Sequence, residues 1–404
     1  MDKKCGGGNV KEYKVCFSGE QYPISSDLYG IFLEDINFAC DGGLNANVVN
    51  NYSFDGVYMD IKTKKEIQDP LRYWVFDGCQ AVSSSVHALS ENSRYVHVSF
   101  DGSARVINLG YNGQKKHQGE ADSKWIKISG RLKGKQTDYG QLVLSFTGSG
   151  AVDLDCVIFM DEDCWHAEDP KYTQGKFRRD LVEALRDLHP RFMRFPGGCI
   201  TEGRCPGNEY NWKDTVGKLY ERRPKFNLWS ERLPDGGYSQ SYQIGFYEYF
   251  CLCEDLGAKP LPILSVGINC QMRTVASIPM NSRQFQDEIV QNYLDLIEFA
   301  NGAPKESRWA AMRLVFTGGV VPYQFVLRPM KRFANKYNPS GFIDEHSYHS
   351  PEWFIRQADR YDNYKRGGTS IYVGEKPPSF PGGGEDGGRC PDGGAASGFR
   401  ECVL

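Results

Sequence analysis

Residues 177–203 read FRRDLVEALRDLHPRFMRFPGGCITEG, and this stretch decides the fold. Leu181, Ala184, Leu185 and Leu188 recur at helical spacing, which predicts an amphipathic helix over Phe177–Leu188. Pro190 cannot continue that helix, and the apolar run Phe192–Phe195 behind it predicts a buried strand that ends at Gly197-Gly198. A helix feeding directly into an apolar strand is half of a βαβ unit, the crossover that parallel strands require.

The same unit recurs on both sides. Downstream, Gln243–Leu256 reads as a second amphipathic helix closed by Gly257, with Pro260–Val266 (PLPILSV) as its strand. Gln284–Ala300 is a third helix, with Gly302 in the position glycine favours past a helix end. Phe342–His346, a helix around Pro351–Asp362 and the strand Thr369–Val373 continue the series. Upstream, Leu28–Leu33 (LYGIFL) is a short apolar run that stops at Glu34-Asp35. Repeated βα units predict an α/β chain built on a parallel sheet or a (β/α)8 TIM-type barrel. Glu34, Gly197-Gly198, Asn269, His346 and Glu375 all follow strands, which favours the barrel, because its chemistry sits at the carboxyl ends of the strands.

Between residues 65 and 162 the texture changes. Tyr95–Phe100, Trp125–Ser129, Gln141–Phe146 and Asp155–Met160 alternate or run apolar between turn signals such as Asn112-Gly113, which predicts an inserted antiparallel β-sandwich. The barrel then occupies 20–64 and 163–375. Residues 1–19 form an N-terminal tail or strand, and the glycine- and proline-rich residues 376–404 are expected to be disordered.

The composition of the 404 residues narrows the partners. A net charge of −3 offers no basic excess for nucleic acid or an anionic membrane, while 23 Tyr and 7 Trp suit ligands with apolar faces and polar edges, sugars among them. Thirteen cysteines, odd in number and loosely spaced, read as reduced thiols. With no apolar segment near the start, a cytoplasmic place is expected, and a secreted or periplasmic one if the true start lies elsewhere. No run approaches the ~18 apolar residues of a membrane span.

Taken from the residues alone, Glu375 is a nucleophile or general base at a strand end, or a solvated loop carboxylate; Glu34 is a sugar-hydroxyl acceptor or an ordinary cap. His346 and His349 would point to opposite faces of a strand, which argues against a metal pair there and for a His and a Tyr that orient a nearby carboxylate. Cys251 and Cys253 lie within a helix without zinc-ligand spacing and read as small buried side chains. No cofactor is expected.

Several motifs together carry a resemblance: SSDLYGIFLEDINFACDGGLNANVVNNYSF (25–54), residues 177–203, YNWKDTVG (210–217), CEDLGAKPLPILSVGINC (253–270), YLDLIEFANG (293–302), DEHSYHSPEWF (344–354) and RYDNYKRGGTSIYVGE (360–375). In this order they resemble the retaining α-L-arabinofuranosidases of glycoside hydrolase family 51. The resemblance implies a (β/α)8 barrel that hydrolyses terminal arabinofuranosyl groups of an arabinose-containing polysaccharide or oligosaccharide, with a carbohydrate-binding-like sandwich between its first two strands. It implies Glu375 as nucleophile, Glu34 as a sugar contact, His346 and Tyr348 beside the nucleophile, and Trp212 and Asn269 in motifs that line the pocket. Cys199 stands where relatives often have a sugar-binding asparagine.

The family draws its acid/base from a Gly-Asn-Glu ending the fourth strand, between ANG and DEH; residues 314–341 are short and hold no such motif. Gly207-Asn208-Glu209 spells it in a different loop, so Glu209 reads as a chance match. With no eighth strand recognisable after Glu375, an incomplete barrel with impaired activity is expected. A non-catalytic carbohydrate-binding remnant and a related barrel xylosidase or endoglucanase are the alternatives. The oligomeric state is left open.

Overall fold

A computed structural model describes residues 26–90, 93–110, 125–132, 141–233, 237–270, 273–274, 276–301, 315–317, 342–346, 351–357, 359 and 370–375. The expected tails 1–19 and 376–404, the gap at 318–341 and Tyr348 lie outside the described residues.

In chain order, strand β1 (Ile31–Phe32) is followed by a small hairpin, β2 (Val57–Met59) and β3 (Glu66–Gln68), and by three long strands, β4 (Trp74–Ser84), β5 (Tyr95–Asn108) and β6 (Leu142–Leu154). Helix α1 (Arg179–Asp187), β7 (Phe192–Phe195) and the single turn α2 (Cys199–Glu202) come next. The short pair β8 (Lys225–Phe226) and β9 (Ser239–Gln240) precedes α3 (Phe246–Leu256) and β10 (Lys259–Leu264). A π-helical turn, Phe285–Val290, runs into α4 (Gln291–Asn301); β11 (Val315–Thr317), β12 (Phe342–His346), α5 (Pro351–Arg356) and β13 (Ser370–Glu375) complete the described elements.

One parallel sheet organises these pieces, in the order β1-β7-β10-β11-β12-β13. Spatial order equals chain order. Each crossover therefore steps the same way, and with right-handed crossovers the connecting helices stack on one face. A doubly wound sheet would reverse direction partway. This is the winding of a (β/α) barrel, although no pairing closes β13 onto β1 among the described residues.

Helix α3 is the main prop. Phe246, Tyr249, Phe250, Cys251, Leu252 and Cys253 are all buried, so it is apolar around most of its circumference and not only along one stripe. The Phe195 ring of β7 meets Phe246, Tyr249 and Phe250 with centroids 5.3, 5.0 and 5.7 Å away. Burying each such ring is worth about 1.5–3 kcal/mol. Beneath the helix, Glu248 accepts from the Gly245 N–H at 2.9 Å and from Arg222 Nη2 at 2.8 Å, an ion pair whose two side chains are each 1% exposed. Arg222 spends its remaining donors on the carbonyls of Gly217, Tyr242 and Gln243, which pins the loop ahead of α3.

In α1 the expected face is rotated. Val182 is fully buried and Leu181 and Leu185 pack beside it, whereas Leu188 is 46% exposed. The helix ends before Leu188, and the stripe that faces the sheet is 181/182/185.

The inserted region also differs from expectation. Strands β4, β5 and β6 form one antiparallel three-stranded sheet, and no second sheet lies opposite it among the described residues. Its apolar face is covered by Val49, Tyr52 and Phe54 from the loop after β1. Asp155–Met160 is extended but binds that loop instead of a ladder: Val157 N–H donates to the Tyr52 carbonyl at 2.8 Å, and Phe159 N–H to Asn47 Oδ1 at 3.0 Å. Trp125–Ser129 joins no sheet; Trp125 packs edge-on against Tyr95 and donates to the His87 carbonyl.

Candidate active site

Because all six strands run the same way, their carboxyl ends lie along one rim, where Glu34, Gly197-Gly198 and Asn269 follow β1, β7 and β10, and His346 and Glu375 end β12 and β13. The pairing of β12 with β13 runs Phe342↔Ser370, Ile343↔Ile371 and Asp344↔Tyr372, then shifts so that His346 stands opposite Glu375. Across the shift, Val373 and Gly374 stand against Glu345 alone, so β13 carries one residue more than β12 over this stretch.

Glu34 is fixed from two directions. Its Oε1 accepts the Ile200 N–H at 3.2 Å and the Trp229 indole N–H at 3.2 Å. A Cβ at residue 197 would meet Glu34 Cγ at 2.6 Å and Ile200 Cγ2 at 2.4 Å, and the backbone there has φ +149°, so only glycine lets the carboxylate approach the turn after β7. The Trp229 ring, partly buried, lies under the Arg273 guanidinium at 4.6 Å, a cation–π contact. Arg273 in turn pairs with Glu231 at 2.6 Å, and Arg204 reaches the same carboxylate at 3.5 Å.

Behind Glu34 the wall is acidic and buried. Burial and the neighbouring Asp41 push the Asp35 carboxyl up to about 8, although Asp35 accepts the Cys40 N–H at 3.3 Å. Asp41 is also raised by burial, and its oxygens accept from Ser241 N and Oγ, each at 2.8 Å. A carboxyl that stays protonated near neutrality is a feature that acid catalysis requires, yet these two are engaged in holding the loop after β1.

The remaining sequence candidates separate. Asn269 is buried, and its Nδ2 donates to the Glu202 carbonyl at 3.0 Å, which ties the end of β10 to α2. Cys199 and Cys270 pack together in the same wall. Trp212 is held elsewhere: its indole N–H donates to the Asn292 carbonyl at 3.1 Å and its ring packs on Phe246 and Phe299 from the helices. Glu209 turns back on its own loop, where it accepts the Gly207 N–H at 2.8 Å. The buried Cys251 and Cys253 fill space inside α3, as their spacing implies. Trp229, Arg273 and Glu231 were missed by sequence reading, since they sit in irregular loops without a periodic signal; the only cue was the run NLWSER.

A cavity of about 550 Å³ lies away from Glu34, where the β2–β3 hairpin meets the 207–225 loops, lined by Asp55, Glu66, Arg94, Asp214 and Lys225 among others. Its described lining carries no aromatic ring, and Lys225 pairs with Asp214 at 3.2 Å. Without a ring for a sugar face to stack on, it is a poor carbohydrate site.

Residues 184–330 match the α-L-arabinofuranosidase 1 domain family. The extracellular exo-α-L-arabinofuranosidase of Streptomyces chartreusis is 30% identical, with 87% of this chain and 51% of that protein covered. The α-L-arabinofuranosidase 1 of Arabidopsis thaliana is also 30% identical, over 73% of this chain and 47% of its own length. This chain thus spans about half the length of the curated relatives it matches. An arabinose-bound GH51 α-L-arabinofuranosidase superposes with a TM-score of 0.57 at 20% identity, over 87% of this chain and 66% of that one, a likeness of fold. The chain resembles the α-L-arabinofuranosidases of glycoside hydrolase family 51 in both sequence and fold. No helix among the described residues is long and apolar enough to cross a membrane.

Proposed function

We propose, from this resemblance, that the chain is the catalytic part of a retaining glycoside hydrolase that releases terminal non-reducing α-L-arabinofuranosyl groups from arabinose-containing polysaccharides. In this reading the six parallel strands belong to a (β/α)8 barrel. The observation that carries it is the register that sets Glu375 opposite His346 at the carboxyl ends of β13 and β12, in a sheet whose first strand is also followed closely by a glutamate, Glu34.

Glu375 attacks the anomeric carbon and displaces the leaving sugar, and water then releases arabinose from the glycosyl-enzyme. His346 and Tyr348 orient the nucleophile. Glu34, fixed by Ile200 and Trp229, accepts from a hydroxyl of the furanose ring, while Asn269 supports the pocket wall from behind; Trp212, packed among the helices, takes no part in it. Cys199 replaces an asparagine contact, which weakens the grip on the sugar. An acid/base carboxyl within ~5–5.5 Å of the nucleophile completes a retaining pair. No residue of 314–341 is assigned to it, so aryl arabinofuranosides, whose leaving groups need little protonation, are the best substrates. The extracellular name of the Streptomyces relative supports a secreted place over the cytosolic one expected from the N-terminus.

Hydrolysis of an aryl α-L-arabinofuranoside, read together with mass spectrometry after a mechanism-based arabinose label, tests this. The label is expected on Glu375, and Glu375→Ala is expected to lose on the order of 10³-fold or more in kcat. Equal turnover by the variant, a label on another residue, or arabinoxylan retention without any turnover overturns it.

A further inference from the structure

Cys199 and Glu202 stand three apart on the single turn α2, so they share a face, and Cys270 comes to that face from the end of β10. The two Sγ atoms and a Glu202 carboxylate oxygen lie within 4.8 Å of one another, and all three residues are buried, at 7%, 2% and 0% exposure for Cys199, Glu202 and Cys270. The arrangement is built into the backbone. Cys270 N–H donates to the Gly203 carbonyl and Gly203 N–H to the Cys199 carbonyl, each at 3.0 Å, while Asn269 Nδ2 holds the Glu202 carbonyl. Gly203 has φ +71°, and a Cβ there would meet the Glu209 nitrogen at 2.4 Å, so the turn that joins the two ligand-bearing segments needs glycine.

We propose that Cys199, Cys270 and Glu202 form a site for one thiophilic divalent cation of the zinc class. Two thiolates and one carboxylate form a three-ligand set that zinc accepts, with a fourth position left for water. Hard cations such as calcium or magnesium need more oxygens than this wall supplies. Charge supports the assignment. Exchange of two thiol protons for one divalent ion leaves the net charge among Glu34, Glu202, Glu231, Arg204 and Arg273 unchanged. The protons pass to solvent as the ion binds. Arg273 Nη1, 3.1 Å from Cys270 Sγ, is the outer partner that holds a sulfur ligand in place. The site lies in the wall that carries Glu34, because Ile200, whose N–H binds Glu34, sits between two of the ligands in sequence.

The test is a Cd²⁺ titration of the reduced, metal-free protein, followed by sulfur-to-metal charge-transfer absorption in the ultraviolet and by competition with Zn²⁺. One equivalent is expected to bind with that band and to be displaced by Zn²⁺. Cys199→Ser is expected to remove most of the band, and Cys79→Ser, on the inserted sheet, to leave it unchanged. Glu202→Gln preserves shape and both sulfurs, and is expected to weaken Cd²⁺ binding by about 10–100-fold. Absence of the band in the unaltered protein, an equal band in Cys199→Ser, or undiminished affinity in Glu202→Gln overturns the site. None of these readouts depends on glycosidase activity.

Discussion

The parallel sheet and the inserted antiparallel sheet use their residues in opposite ways. Strands β1, β7 and β10 run two, four and six residues, whereas β4, β5 and β6 run eleven, fourteen and thirteen. The short strands form few ladder bonds and depend on what is packed around them: the aromatic side of α3, and the Arg222–Glu248 pair that fixes the loop ahead of it. The long strands carry their own ladder and need one covered face only, so the other is left with Val75 at 43% and Val82 at 62% exposure. Where strands are short, loops begin early, and among the described residues Trp229, Glu231 and Arg273 reach Glu34 and its surroundings from segments between the strands.

Four changes probe the contrast. The largest effect is expected from Glu248→Ala, which leaves the Arg222 guanidinium buried without its carboxylate; a loss of about 3–5 kcal/mol in a denaturant titration is expected. A loss below ~1 kcal/mol would show that the parallel sheet does not depend on this pair.

The junction of the two regions comes next. Burial, aided by the neighbouring Asp155, pushes Asp55 up to about 7, and burial does the same for Asp155. A carboxyl raised above its unfolded value of ~3.9 stabilises the fold fully only below that value, and the contribution is lost as pH rises toward 7. Thermal melts from pH 4.5 to 8 are therefore expected to lose this contribution up to about pH 7 and to flatten beyond it, and Asp55→Asn is expected to reduce the slope. An unchanged slope in that variant would remove Asp55 from the account.

Within the insert, Val98→Ala opens space in the covered face, where Val98 is fully buried, and is expected to cost about 1–3 kcal/mol. Val82→Thr on the bare face is expected to stay within ~0.5 kcal/mol. Equal losses from the two would mean that both faces are covered in solution, as the sandwich reading requires.

Much of the architecture was legible because its signal is local. The strands after α1 and α3 announced themselves as apolar runs bounded by Pro190 and Gly257, and the alternation of Tyr95–Phe100 gave β5. What failed was what neighbours decide. Asp155–Met160 has strand composition, yet Asn47 and Tyr52 take its backbone groups before a ladder can. Leu188 fits the helical period but falls beyond the end of α1. Among the candidates, Glu34 and Glu375 draw attention in the sequence because they stand at strand ends; Trp229 and Arg273 do not, because only the folded loops bring an indole between a carboxylate and a guanidinium.

That last contact has a practical consequence. An indole hydrogen-bonded at 3.2 Å to Glu34 and covered by a cation is a fluorophore wired to the carboxylate proposed to meet the sugar. Whatever displaces that hydrogen bond alters its excited-state surroundings, so the emission of Trp229 can report occupancy of the pocket directly, even for a compound that is never cleaved.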